Sequence, residues 1–299
     1  MKTLIVLNAG AGRAASLRCD EMKRRVEQAS AQLGLDVEVR AIAAAALRSV
    51  FEAAAADSEV GTVVAGGGDG TLNTAANALA QAGKTMGILP LGTLNHFARD
   101  VGIPLGLEDA LEVVAAGRTR SVDVGDVNGR VFLNNCSVGL YAEAVRQRER
   151  LRTLHGWDKW TAMARGAWEA LRRFRRWHLT LRLPAESRHL STPQLVIANN
   201  RYEMSPLALG RRAELDCGCL WVYLTRHRAR FAFVRLVLRG LLGRLEGERD
   251  FEALSTPGLT VEERRPGRRI FLALDGELER LHAPLRFTSR PRALTVLAP

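Results

Sequence analysis

The sequence predicts an α/β N-terminal domain with a parallel, Rossmann-like three-layer sheet, followed by a C-terminal β-sandwich-like domain that carries a helical insertion. Three observations lead there. Up to about residue 122, short β-branched runs alternate with stretches of helical period. Two consecutive strands break into glycine turns, at Gly66–Gly70 and at Pro90–Asn95. After Arg120 the period shortens to many strands bounded by turn residues. The expected domains are 1–122 and 123–299, and the last strand is free to return to the first domain.

With 299 residues the chain can build two cores, and 47% apolar with 25% charged residues is a globular composition. The net charge of +11 favours an anionic partner: nucleotide, nucleic acid or an anionic bilayer surface. No apolar run reaches the roughly 18–20 residues of a spanning helix, so an integral membrane protein is not expected. Met1–Leu7 is too short for a signal peptide and reads as a first buried strand. Cys19, Cys136, Cys217 and Cys219 form no paired CxxC spacing, which points to structural thiols in a reduced cytoplasmic setting.

In chain order, Thr3–Leu7 is a strand with Asn8 at its carboxyl end, and a helix runs from about Ser16 to Leu33. Between them Gly10, Gly12 and Ala15 fit the loose G-x-G-x-x-A pattern. The next strand, Leu35–Ile42, ends without the acid that a dinucleotide ribose requires. The loop is therefore either a second phosphate or ribose contact or a plain β–α turn. A helix over about 45–56 leads to the strand Gly61–Ala65.

Gly66, Gly67, Gly68 and Gly70 follow, then Thr71 opens a helix through Gln81. Successive glycines let backbone N–H groups approach a ligand, and the helix adds the positive end of its dipole, so a phosphate is the natural guest. Asp69 would be repelled by that phosphate unless a divalent cation, a hydrogen-bonded water or a proton donor lay between. It therefore argues for a nucleotide with Mg²⁺, or else simply caps the helix. No Gly-Lys-Ser/Thr follows, so the loop is not that of a P-loop NTPase. The strand Thr85–Leu89 breaks into Pro90–Asp100, where Thr93 and Asn95 can bond phosphate or adenine or hold the turn. Two such turns at one edge of a parallel sheet mark a ligand crevice. Helices then end at Gly102 and Gly117.

The second domain opens with a hairpin, Ser121–Val127 and Arg130–Cys136 about an Asn128-Gly129 turn. Strands are expected near 178–183, 194–198, 220–225, 258–262, 269–274, 285–288 and 293–297. Between Val145 and Trp177 ten Lys/Arg are interleaved with Trp157, Trp160, Trp168 and Trp177. This suits a helix in a lipid headgroup layer, or a solvated helix whose tryptophans pack on the sandwich. RNA binding is the less favoured third account, since no recognition module accompanies the charge.

Gly66–Asn73, Gly87–Asn95 with Phe97–Arg99 and Gly102–Pro104, Val122–Gly125, and Leu274–Glu277 together resemble the diacylglycerol kinase catalytic-domain family, in particular its soluble bacterial lipid kinases. The resemblance implies ATP and Mg²⁺, phosphoryl transfer to the hydroxyl of diacylglycerol or a similar lipid alcohol, and peripheral attachment at the anionic inner membrane surface, with a homodimer possible. It makes Asp69 and Asp123 acids of the Mg²⁺ network and Asp275 the catalytic base with Glu277 as neighbour. Asn8, the glycine loop, Thr71, Thr93, Asn95 and His96 become nucleotide contacts. Independently, the apolar strand Ile270–Leu274 places Asp275 and Glu277 at its mouth, where partial desolvation suits proton acceptance; an Asp-Gly hairpin turn is the plainer account.

Two departures from the family pattern stand out. His96 occupies a position that is often Asp, and Cys217 replaces the second acid of a Leu-Asp-Asp-Gly segment, leaving Asp216. That exchange weakens a structural hard-cation site. The alternatives are an NAD kinase, which shares a Gly-Gly-Asp-Gly loop, and an inactive nucleotide- or lipid-binding regulator.

Overall fold

The computed structural model describes residues 2–10, 13–203, 211–212, 214–225, 230–241, 251–263, 267 and 269–299. Gly12 of the loose G-x-G-x-x-A pattern lies outside them. The chain forms two compact units: Met1–Val124 with Pro291–Pro299, and Gly125–Arg290.

The first unit alternates strand and helix: β1 (Lys2–Asn8), α1 (Arg13–Gln32), β2 (Val37–Ile42), a short 3₁₀ turn (Ala44–Ala46), α2 (Leu47–Ala56), β3 (Val60–Gly67), α3 (Asp69–Ala82), β4 (Thr85–Pro90), α4 (His96–Val101), α5 (Leu107–Ala116) and the start of β5 (Thr119–Val127). Its sheet runs β2-β1-β3-β4 and is closed by the far end of the chain's last strand, β16 (Leu285–Leu297). The pairings β1–β2, β1–β3, β3–β4 and β4–β16 are all parallel. Leu4–Leu7 and Val63–Gly67 are buried without interruption, as strands covered on both faces require. In α3, Leu72, Ala75, Ala76, Leu79 and Ala80 recur at helical spacing and form the buried stripe.

From β1 the chain crosses to β2 on one side and then returns to β3 on the other. That reversal is the topological switch point, where open α/β sheets leave a crevice outside the strand carboxyl ends. Asn8 ends β1 and the glycine loop ends β3, so both lie at that point.

The second unit contains β6 (Arg130–Phe132), β7 (Asn135–Gly139), α6 (Leu140–His155), α7 (Lys159–Arg173), β8 (Trp177–Arg182), β9 (Ser187–Thr192), β10 (Gln194–Asn199), β11 (Leu220–Thr225), α8 (Arg230–Leu241), β12 (Phe251–Thr256), β13 (Gly258–Glu263), β14 (Arg269–Leu274) and β15 (Glu277–His282). One antiparallel sheet has the order β12-β11-β10-β7-β14-β15. Facing it are β9, β8, β13 and the first half of β16. Leu195, Ile197, Val222, Leu272, Leu181 and Val261 fill the core between them, and Phe132 meets Phe287 edge to face at 6.4 Å. This is the sandwich-like domain that the sequence predicts.

Three details differ from expectation. The hairpin's second strand is two strands, because Leu133 and Asn134 turn their N–H groups to Asp275 and leave the ladder. The expected strands 285–288 and 293–297 are one strand, β16. The strands β9, β12 and β15 and the helix α8 were not anticipated. All three unanticipated strands lie at sheet edges, where charged and polar residues obscure the alternation.

Candidate functional site

The glycine loop and the turn after β4 touch each other. A Cβ built on Gly92 would overlap Gly68 Cα, and one on Gly66 would lie 2.5 Å from Leu7 Cδ2. At Gly92 backbone meets backbone, so only hydrogen fits there, whereas at Gly66 the neighbour is a leucine side chain. Gly68 precedes α3 in an extended conformation (φ −93°, ψ −175°) and gives this 14-residue helix no side-chain cap; its carbonyl accepts from Thr71 N and Leu72 N.

Asn8 spans the switch point. Its Nδ2 donates to Thr71 Oγ1 at 2.9 Å, and its Oδ1 accepts from Gly10 N at 3.0 Å. Thr71 is buried on α3 directly behind Gly67. These two side chains tie the end of β1 to the head of α3, leaving the glycine backbone as the surface a ligand meets.

Asp69 is the first helical residue of α3, yet its carboxylate serves another helix. Oδ2 accepts from His96 N (3.2 Å) and Oδ1 from Phe97 N (3.1 Å), which caps α4 across the crevice's edge. The residue preceding α4, Asn95, provides no cap: it is left-handed (φ 51°), and its amide accepts from Gly92 N and donates to the carbonyls of Pro90 and Gly92. Asn95 is thus buried in the turn it holds. Thr93 and the His96 side chain are exposed on the same turn.

Asp123 is carried by β5. It is 1% exposed, and its Oδ1 accepts from the N–H of Arg292, itself at φ 50°, so it pins the bend in the returning strand. Asp69 is only half-buried and fits an ion carried in by nucleotide phosphates, because Mg²⁺ keeps most of its waters and needs few protein ligands. Among the described residues no three His, Cys, Asp or Glu side chains converge as metal ligands. Asp216 is exposed, and neighbouring Cys217 donates to Asn200 Oδ1.

In the second unit Asp275 and Gly276 form the β14–β15 turn with positive φ at both residues (49° and 83°), the Asp-Gly hairpin geometry. The Asp275 carboxylate does more than turn the chain. Oδ2 accepts from Leu133 N at 2.7 Å, and Oδ1 accepts from Asn134 N and Asn135 N at 2.8 and 2.9 Å. Three consecutive N–H groups fix the orientation of its oxygens.

Around this turn stand residues to which sequence reasoning gave no role. The Tyr141 hydroxyl is 3.7 Å from where a Gly276 Cβ would stand, and buried Arg148 donates to the Gly276 carbonyl at 3.0 Å. Arg148 hides in the run Arg146–Arg152, which reads as a solvated helical face. Glu277 begins β15 with its carboxyl above the usual range, because desolvation outweighs the opposing charge of Arg148. Its side chain is nonetheless exposed to solvent, which limits the energetic weight of that shift.

The tryptophans of the helical insertion divide. Trp177 packs on the sandwich core with Arg175 over its ring, whereas Trp157, Trp160 and Trp168 are exposed. On α7, Ala162, Gly166 and Ala170 form the buried stripe, and Gly166 rests on the α6 backbone at Ala144 and Arg148. Trp160 and Trp168, 59% and 55% exposed, share the outer face eight residues apart, and Leu154 on α6 and Phe231 on α8 are exposed as well. No helix among the described residues is long and apolar enough to cross a membrane.

Residues 2–127 match the family model of the diacylglycerol kinase catalytic domain, and residues 134–298 match that of the YegS C-terminal NAD kinase beta sandwich-like domain. The chain belongs to the diacylglycerol kinase catalytic-domain family. Within that family it is similar to proteins named "Probable lipid kinase YegS-like". It is 44% identical to one from Klebsiella pneumoniae (strain 342) over 110 residues, 36% of each chain. To one from Yersinia pestis (strain Pestoides F) it is 46% identical over 89 residues, 28% of this chain and 30% of the relative. The alignments thus span about a third of those relatives' length.

The fold is also that of a diacylglycerol kinase from Bacillus anthracis str. Sterne, with a TM-score of 0.68 and 17% identity over 100% of this chain and 97% of that one. A second crystal structure from the same organism gives a TM-score of 0.76 at 19% identity, covering 100% and 95%.

Proposed function

We propose that this kinase transfers the γ-phosphoryl group of ATP to the hydroxyl of diacylglycerol or a similar lipid alcohol, at the anionic inner surface of a membrane. The observation that carries the reading is the pair of glycine turns packed on each other at the switch point, with the head of α3, which has no side-chain cap, beneath them. Such a surface takes a polyphosphate through backbone N–H groups.

Asn8 and Thr71 hold the loop rigid, while Thr93 and His96 are exposed where they can contact the nucleotide. Asp69 would hold the hydrated Mg²⁺ that accompanies ATP, and the ion would neutralise phosphate charge there. Asp275 is the proton acceptor: as the lipid oxygen bonds to the γ-phosphorus and the bond to the β–γ bridging oxygen breaks, the hydroxyl proton passes to its carboxylate and ADP departs. Its three backbone N–H contacts hold that carboxylate in one orientation.

Exposed Trp157, Trp160 and Trp168 beside arginines suit an anionic headgroup layer. Labelled ATP is incubated with lipid alcohols in mixed micelles and, in parallel, with NAD. Phosphorylated lipid is expected. Phosphorylated NAD instead would make the chain an NAD kinase, and nucleotide binding without product would make it a regulator. Binding to anionic vesicles should exceed binding to neutral ones, fall with salt and be lost in Trp160→Ala/Trp168→Ala. Equal, salt-insensitive binding would remove the membrane from the proposal.

A further inference from the structure

Arg212 is 3% exposed, and its guanidinium reaches the turn that holds Asp275. Nη1 donates to the carbonyls of Leu133 and Asn199, and Nη2 donates to Asn134 Oδ1 at 2.8 Å. Asn199 reinforces the contact: its Nδ2 donates to the Leu133 carbonyl at 3.0 Å, and its N–H to the Asn134 carbonyl at 2.9 Å.

Those two carbonyls belong to the same peptide units as the N–H groups of Asn134 and Asn135. Each peptide plane therefore has its oxygen on Arg212 or Asn199 and its hydrogen on Asp275. A cation drawing on an amide oxygen strengthens the hydrogen bond that the same amide donates, and low dielectric enlarges the effect. Guanidinium does not lose its proton in a protein, and burying it is expensive, so a neutral amide would serve better if the turn needed only a brace.

We propose that Arg212 is a positioning residue, which acts through the Leu133–Asn134 peptide and the Asn134 side chain to fix Asp275 and to strengthen the hydrogen bond that Asn134 N–H gives it. This rests on the reading of Asp275 as proton acceptor.

The test is a double-mutant cycle of Arg212→Met and Asp275→Asn, with Arg212→Lys alongside. It is read by lipid phosphorylation, by the KM for ATP and by the ¹H–¹⁵N shifts of the Leu133, Asn134 and Asn135 amides. Arg212→Met should lower kcat on the order of 10–100-fold with the KM for ATP little changed, as misplacement of a reacting group does. Arg212→Lys should recover part of that loss. In the Asp275→Asn background the Arg212→Met effect should fall to about twofold or less, because the two residues act as one unit. The Asn134 amide proton, on the peptide whose oxygen Arg212 holds, should move upfield in Arg212→Met.

Equal losses in both backgrounds, or amide shifts that do not move, would overturn the inference. If Asp275→Asn keeps full activity, Asp275 is not the acceptor and the proposed role falls with it; amides that still respond to Arg212→Met would show that the failure lies in the acceptor and not in the coupling. If Arg212→Met does not fold, Arg212→Lys and its amide shifts decide.

Discussion

Carboxylates that receive backbone N–H groups are held by the chain itself, and Asp69 and Asp275 are both of this kind. Asp69→Asn replaces one acceptor with an amide that faces an N–H, so α4 loses half its cap. We expect a stability loss of about 1 kcal/mol, read as a melting point lower by ~2–4 °C, with turnover down by roughly 100-fold or more. Wild-type turnover would remove Asp69 from the site. Glu277 gives the pH dependence. Its raised carboxyl makes the ionised form slightly unfavourable in the fold, so it costs stability at neutral pH, and that cost disappears as pH falls through the raised value. Glu277→Gln should therefore melt slightly higher than wild type near pH 7 and equal it below the ordinary glutamate range of about 4.3. A gap that widens in acid would contradict the shift. Local motif chemistry made these acids legible in the sequence, but their partners lie 27 or 28 and 140 to 142 residues away and leave no local signal. Arg212 was invisible for the same reason: it sits beside Arg211 like any solvated pair.

At the scale of elements, close approach decides where the sequence tolerates only glycine. Gly66–Gly68 and Gly92 announced themselves by clustering; Gly166, alone in a helix, did not. Its replacement by alanine should favour the isolated helix by about 1 kcal/mol. In the fold, however, the new Cβ would lie 2.5 Å from Ala144 O and 3.1 Å from Arg148 N, both backbone atoms that cannot turn aside. The steric cost, typically about 1–3 kcal/mol, should win, and Gly166→Ala should melt lower. A higher melting point would mean that α7 can slide on α6. The interior strands were readable because burial on one or both faces fixes their pattern, whereas β15, written Glu-Leu-Glu-Arg-Leu-His, carries the charges of an edge. The same logic separates Trp177, which the core claims, from Trp160 and Trp168, which it leaves outside.

For the whole molecule the decisive feature is that the first unit is not one continuous stretch of chain: residues Pro291–Pro299 complete it. Thr295 and Val296 pair with Thr85 and Met86 of β4, and Leu294, Val296 and Leu297 are buried there. Each such side chain contributes about 1.5–3 kcal/mol, and a charge in place of Val296 would add desolvation to that loss. In Val296→Asp, hydrogen exchange should accelerate through β3 and β4 while the sandwich core around Ile197 and Leu272 stays protected. Uniform acceleration would show instead that the units melt as one. During synthesis this arrangement inverts the usual order, in which the N-terminal domain folds first. The bulk of the first unit is translated first, yet its last strand emerges from the ribosome only after the entire sandwich. Until then β4 waits with one side unpaired, so the half that is made second is the half that can finish first.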